Sequence, residues 1–186
     1  MDSGLVSVLS TMEDGKSVEV GMSGKEGCTA LPIAVGLKTS AARIIVQIPG
    51  TAFRITSQGL VNILRQLPVL EKRMQQYGHI MAMQSAQVAG CNRLHKVEER
   101  LARWLLMSQD RIEADVVPLT HESVATLLGT RRASVSVAAG LLQKSGLITY
   151  DRSGVKIKRR QRLEEAACEC YKLIRRHTET WKNESI

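Results

Sequence analysis

Between residues 131 and 162 the chain carries Arg131, Arg132, Lys144, Arg152, Lys156, Lys158, Arg159, Arg160 and Arg162 against a single acid, Asp151. A local excess of this size on a short segment is chemistry suited to polyanions, and to phosphate groups above all. The two halves of the chain share the charge unevenly. Up to Asn92 there are 8 basic and 6 acidic residues, and beyond it 18 and 12, within a formal net charge of +8. The other reactive side chains are sparse. Cys28, Cys91, Cys168 and Cys170 lack the paired spacing of a zinc or iron-sulfur site, and Cys168-Glu169-Cys170 is tighter than the usual C-x2-C loop. They are expected to be reduced thiols, with no metal and no cofactor. Cys28 or His79 could serve a haem, and the Ala166–Tyr171 stretch a redox role, but core packing is the simpler expectation for both. No Ser-His-Asp, paired-carboxylate or phosphate-loop constellation appears, so no catalytic residue is expected. His95, Glu98 and Glu99 read as a solvated helix face.

The basic segment sits on a recognisable order of elements. Thr120 is a good N-cap for a helix from His121 to Leu128, where Val124, Leu127 and Leu128 form an apolar face, and Gly129 ends it. A second helix runs from Arg131 to about Lys144. Val135, Ala138, Ala139 and Leu142 make its inner face, and Arg132, Ser136, Gly140 and Gln143 the opposite one. Small residues behind a leading arginine can approach a groove floor closely. Strands Leu147–Tyr150 and Val155–Lys158, joined by the turn 151–154, then form a wing. A helix pair with a glycine turn is more often ordinary packing; wing, charge and arginine pair together point to duplex DNA.

Upstream, residues 1–56 read as short strands, at Leu5–Leu9, Val18–Met22, Arg43–Ile48 and Thr51–Ile55, with Phe53 the one aromatic of a thin core. From Val69 the pattern becomes helical. Leu70, Met74, Tyr77, Met81, Gln84, Val88 and Cys91 alternate steps of four and three, the seam of a coiled coil, with packing on the preceding strands as the alternative. Gln84 in such a seam would pair with its symmetry mate. A break near Gly90–Leu94 precedes a helix from Lys96 to Met107, whose Glu98, Glu99, Arg100 and Arg103 share the polar face. A C-terminal helix is expected from Leu163 to about Trp181.

Over Asn92–Ile157 these residues resemble the catabolite-activator type (Crp/Fnr) regulators, through Arg100-Leu101-Ala102-Arg103-Trp104-Leu105-Leu106, Leu119-Thr120, Gly129-Thr130-Arg131-Arg132 and Gly146-Leu147-Ile148. The resemblance implies an α+β chain: a partial, jelly-roll-like β-roll at 1–68, a dimerisation helix at 69–92, a winged helix-turn-helix at 93–162 and a C-terminal helix at 163–186. Duplex DNA, a second copy of the chain and RNA polymerase are the implied partners, in the cytoplasm, with no membrane and an effector left open. Arg132 matches the family's guanine-reading arginine, with Ala133, Ser136 and Val137 as further base-facing positions. Thr120, His121, Arg131 and Ser134, with Arg152 and Lys156 of the wing, are the expected phosphate contacts. Ala133 replaces a family glutamate and Val137 an arginine, so a different operator is expected. The segments where cyclic-nucleotide members carry Gly-Glu and Arg-Ser-Ala read Gly27-Cys28 and Thr39-Ser40-Ala41, which implies that no cyclic nucleotide binds. The roll is expected to be about fifty residues short of the family's. A dimeric adaptor whose winged helix packs on protein is the rival reading.

Overall fold

The computed structural model describes residues 1–112, 114, 116–151 and 154–184. Strands β1 (Leu5–Thr11), β2 (Ser17–Ser23) and β3 (Arg43–Ile48) form an antiparallel sheet in the order β2-β1-β3. Helices α1 (Leu31–Ala34) and α2 (Ser57–Gln66) pack on each other and on α3 (Pro68–Leu94), which lies against the edge strand β2. The second half follows: α4 (Val97–Gln109), β4 (Val116–Val117), α5 (His121–Leu127), α6 (Arg132–Lys144), β5 (Ile148–Asp151) and β6 (Gly154–Ile157), closed by α7 (Arg160–Ala166) and α8 (Cys170–Asn183).

The sheet half differs from expectation in two places. Residues 51–56 are not a strand, and Phe53 is 97% exposed instead of filling a core. The second difference is α2, a helix absent from the expected elements although Leu60, Ile63, Leu64 and Leu67 are spaced i, i+3, i+4 and i+7. Its Thr56 N-cap accepts from the Gly59 amide at 3.1 Å, and its Leu60 and Leu64 pack with Ala34 and Met74.

The stripe expected to join two copies points inward. Met74, Tyr77, Gln84, Val88 and Cys91 are buried within the chain, Met81 is half-buried and Leu70 lies more exposed at the start of the helix. The Tyr77 hydroxyl donates to Ser23 Oγ at 2.6 Å. Gln84 accepts from the Met22 amide at 2.8 Å and donates back to the Met22 carbonyl at 3.4 Å. An edge strand has unpaired backbone groups, and a buried amide side chain satisfies them. Gln84 therefore bonds β2 and not a symmetry mate. A 3.5-residue repeat marks a buried stripe without saying whose surface covers it. Helix α3 also runs unbroken to Leu94, so the expected break falls later, at His95-Lys96.

The core is continuous across both halves and centres on α4, which is buried from Arg100 to Ser108. Arg100 and Arg103, expected on the polar face, are both buried. Arg100 donates to Asn92 Oδ1 at 2.9 Å and to the Leu128 carbonyl, so it joins the end of α3 to the end of α5. The anticipated C-terminal helix is two helices, because the chain turns at 167–169 between α7 and α8.

Candidate nucleic-acid interface

Helices α5 and α6 are held at a fixed angle by the way each one ends. Gly129 has φ +57°, its amide donates to the Thr126 carbonyl at 3.1 Å, and the Thr130 amide donates to the Ala125 carbonyl at 2.9 Å. Gly146, at φ +67°, ends α6 in the same way: its amide bonds Gln143 and that of Leu147 bonds Leu142. Both are Schellman caps, in which the left-handed residue sends the chain sharply off the helix axis. Thr120 starts α5, accepting from the Ser123 amide at 3.1 Å.

Val135, Ala138, Ala139 and Leu142 bury the inner face of α6 in the main core, as their spacing predicts. The outer face shows Arg132, Ala133, Ser136, Val137, Gly140 and Gln143, all exposed, with Val137 at 65%. Arg131 is the N-cap and makes no side-chain cap bond, so the helix starts uncapped between two exposed arginines. An uncapped helix N-terminus beside two cations favours a phosphate. Ser134 is half-buried in the first turn.

His121 departs from its expected phosphate contact. Its Nδ1 lies 2.9 Å from Ser136 Oγ, its ring stacks on Tyr150 with centroids 4.4 Å apart, and its Nε2 is buried. Burial first, then the charge of Arg132, lowers its pKa. His121 instead links α5, α6 and β5, and the Tyr150 hydroxyl completes the link by donating to the Leu119 carbonyl at 3.1 Å.

The wing has three strands, in the order β4-β6-β5, because Val116 and Val117 pair with Lys156 and Val155. Lys156 is exposed and stands across from Thr149. Arg152, expected at the wing tip, lies outside the described residues. Gly154 has φ +135°, and a Cβ there would meet the Val117 carbonyl oxygen at 2.2 Å, so only glycine lets β4 lie this close.

Sequence reasoning missed the sheet's part in this surface. Arg131 and Arg132 share a cleft of about 1000 Å³ with Lys16 and Arg43 of the sheet half, where Val18 packs on Gly129. No local signal marks Lys16 and Arg43, since they arrive through the fold. Likewise Cys91, His95, Cys168 and Cys170, whose spacing suggests no metal site, bring their ligand atoms within 4.8 Å of one another.

Among curated proteins no relative matches by sequence. Solved structures match over most of the chain. A protein from Eubacterium rectale, assigned to the Crp/Fnr family of transcriptional regulators, superposes with a TM-score of 0.67 at 17% identity, over 89% of this chain and 77% of its own. FixK2 from Bradyrhizobium japonicum gives 0.64 at 15% identity, over 89% and 84%. A CRP-family transcriptional regulator from Thermus thermophilus gives 0.56 at 22%, over 89% and 84%. No helix among the described residues is long and apolar enough to cross a membrane. Residues 99–166 match the Crp-like helix-turn-helix domain, and the chain that carries them has the fold of the Crp/Fnr transcription regulators.

Proposed function

We propose that the chain is a transcription regulator that binds a near-palindromic duplex operator as a homodimer, with α6 of each copy in the major groove. The observation that carries this reading is the outer face of α6. It is exposed along its length, small at Ala133, Ser136 and Gly140, and led by Arg131 and Arg132 at an uncapped helix start. Arg132 reads a guanine through O6 and N7, with Ala133, Ser136 and Val137 against neighbouring base edges. Arg131, the Thr120 and Ser134 hydroxyls and the wing residues Arg152 and Lys156 contact phosphates and set the register.

The dimer forms through the side of α3 that the chain leaves open. Gln75, His79, Ala82, Ala86, Ala89 and Arg93 are exposed and again step by four and three, and the three alanines allow close approach of two helices. Half-sites about 34 Å apart follow from two-fold symmetry. RNA polymerase is a further partner that this class of regulator would meet on the promoter. Cyclic nucleotide is not the effector. The acid nearest the Gly27-Cys28 segment, Glu26, is paired with Arg111 at 2.7 Å, and Ser40 Oγ is committed to the Ala42 backbone.

Selection of bound sequences from random duplex, followed by binding isotherms at several salt concentrations, tests the reading. A palindromic consensus with affinity falling steeply in salt is expected. Retention that is indifferent to both sequence and salt overturns it and favours a protein adaptor.

A further inference from the structure

Three thiols and one imidazole converge where α3 meets the DNA-binding half. Cys91 is on the last turns of α3, His95 follows that helix, Cys168 lies in the turn between α7 and α8, and Cys170 starts α8. On one continuous helix, residues 168 and 170 would point about 200° apart; the break at 167–169 turns both toward α3. Cys91 Sγ lies 3.5 Å from Cys168 Sγ, and Cys170 Sγ lies 3.6 Å from His95 Nδ1. The three cysteines are buried together as a cluster of their own.

These spacings are those of a single tetrahedral ion. Zinc holds thiolate sulfur at about 2.3 Å and imidazole nitrogen at about 2.0–2.1 Å, so its ligand atoms lie about 3.5–3.8 Å apart along a tetrahedral edge. An iron-sulfur cluster spreads its ligands over separate irons and needs a wider cage than one whose donor atoms all lie within 4.8 Å.

The surroundings of the four ligands point the same way. His95 Nε2 lies 3.1 Å from the Glu169 carboxylate, which fixes the proton on Nε2 and leaves the Nδ1 lone pair facing the thiols. A carboxylate behind a histidine in this way is the common support of a metal-bound imidazole. Gln87 Nε2 donates to Cys170 Sγ at 3.1 Å, a bond that favours thiolate. Arg103 is 1% exposed and its Nε has no hydrogen-bond partner, so a cation stands buried beside the cluster. Three thiolates, a neutral imidazole and a divalent ion carry one net negative charge, which complements that arginine.

We propose that Cys91, His95, Cys168 and Cys170 bind one Zn²⁺ ion, which pins the end of the long helix α3 to the start of α8 at the joint between the sheet half and the DNA-binding half. Binding releases the remaining thiol protons to solvent. Because the ligands come from segments 77 residues apart, the ion closes a long loop and stabilises the folded chain by mass action.

The test uses the full chain purified under reducing conditions without chelator. Elemental analysis is expected to find one zinc per chain, and exchange with Co²⁺ to give the visible ligand-field bands of a tetrahedral site together with thiolate charge transfer. Cys168→Ser and His95→Ala should lose those bands. His95→Cys should keep them, shifted toward four-sulfur coordination, which guards against misreading a variant that fails to fold. Glu169→Gln should weaken zinc binding by about 10- to 100-fold. Reduced protein that takes up neither metal overturns the proposal, as does zinc that persists unchanged in Cys168→Ser and His95→Ala. A Cys91–Cys168 disulfide as the resting state, with no metal bound after reduction, overturns it in favour of a redox pair.

Discussion

The indole of Trp104 donates to the carboxylate of Glu19 across 2.8 Å, which ties the central helix of the helix-turn-helix half to the second strand of the sheet. The other Glu19 oxygen accepts from Ser7 Oγ at 2.5 Å, and neither Glu19 nor Trp104 is open to solvent. The two halves are thus joined by a polar contact inside a shared apolar core. A group so placed makes the joint sensitive to protonation.

Burial pushes the Glu19 carboxyl up to about 7 from its ordinary 4.5, against the opposing pull of the Ser7 bond and the charge of Arg103. Below 4.5 both folded and unfolded chains hold the proton, and the stabilisation from the raised pKa is fully present. As pH rises from 4.5 to 7 the unfolded chain releases the proton while the folded chain keeps it. Stability therefore falls across that window and levels off above it, by on the order of 3 kcal/mol. Glu19→Gln keeps an acceptor for Trp104 and should flatten this part of the profile, as measured by urea unfolding at about pH 4.5 and about pH 8. An unchanged slope in the variant would show that another group titrates.

Helix α3 separates two kinds of residue that share one periodicity. Gln84→Leu strands the Met22 amide in the core and should cost about 1–3 kcal/mol of stability while leaving the oligomeric state alone. Ala86→Arg, on the exposed side, should leave each chain folded but separate the copies. Sedimentation of the two variants beside thermal unfolding distinguishes them. Dissociation by Gln84→Leu with stability unchanged would restore the inward stripe as the seam.

What the sequence disclosed and what it hid divide along the range of the interactions involved. The helix-turn-helix was legible because its signals are local: Thr120 at a cap, Gly129 and Gly146 at left-handed ends, and apolar residues four and three apart along α6. The stripe on α3 was equally visible, yet its partner was not, because the surface that covers Gln84 lies 62 residues away on β2. The same distance hid the cysteine and histidine cluster. Metal-site spacing rules describe short loops, whereas Cys91 meets Cys168 only after α4 to α7 have folded between them. His121 matches a phosphate-contacting position, but stacking on Tyr150 decides where it points.

The two arginines at the start of α6 should separate in their effects. Arg132→Ala should lower discrimination at one base pair of each half-site by about 1–3 kcal/mol. Arg131→Ala should weaken all duplexes alike and reduce the salt slope by about 0.9 for each phosphate that the side chain neutralises. Titrations of operator and random duplex at several salt concentrations measure both. If Arg132→Ala retained full preference for the operator, a base-reading role for this side chain would be wrong.

Gly140 and Gly154 differ in what surrounds them, and so in what an added methyl group should do. Gly154 stands at φ +135°, with the Val117 carbonyl where a Cβ would go, so Gly154→Ala should cost more than about 1 kcal/mol and loosen β4 from the wing. A Cβ at Gly140 meets nothing within 4 Å, and the residue lies inside a helix, where alanine is favoured over glycine by roughly 0.5–1 kcal/mol. Gly140→Ala should therefore raise the unfolding midpoint. The same methyl group projects from the face proposed to approach the groove floor, so operator affinity should fall while the protein becomes more stable. Opposite changes in stability and affinity mark a residue kept small for its partner, whereas unchanged affinity would place Gly140 outside the contact and shorten the reading face to the first two turns of α6.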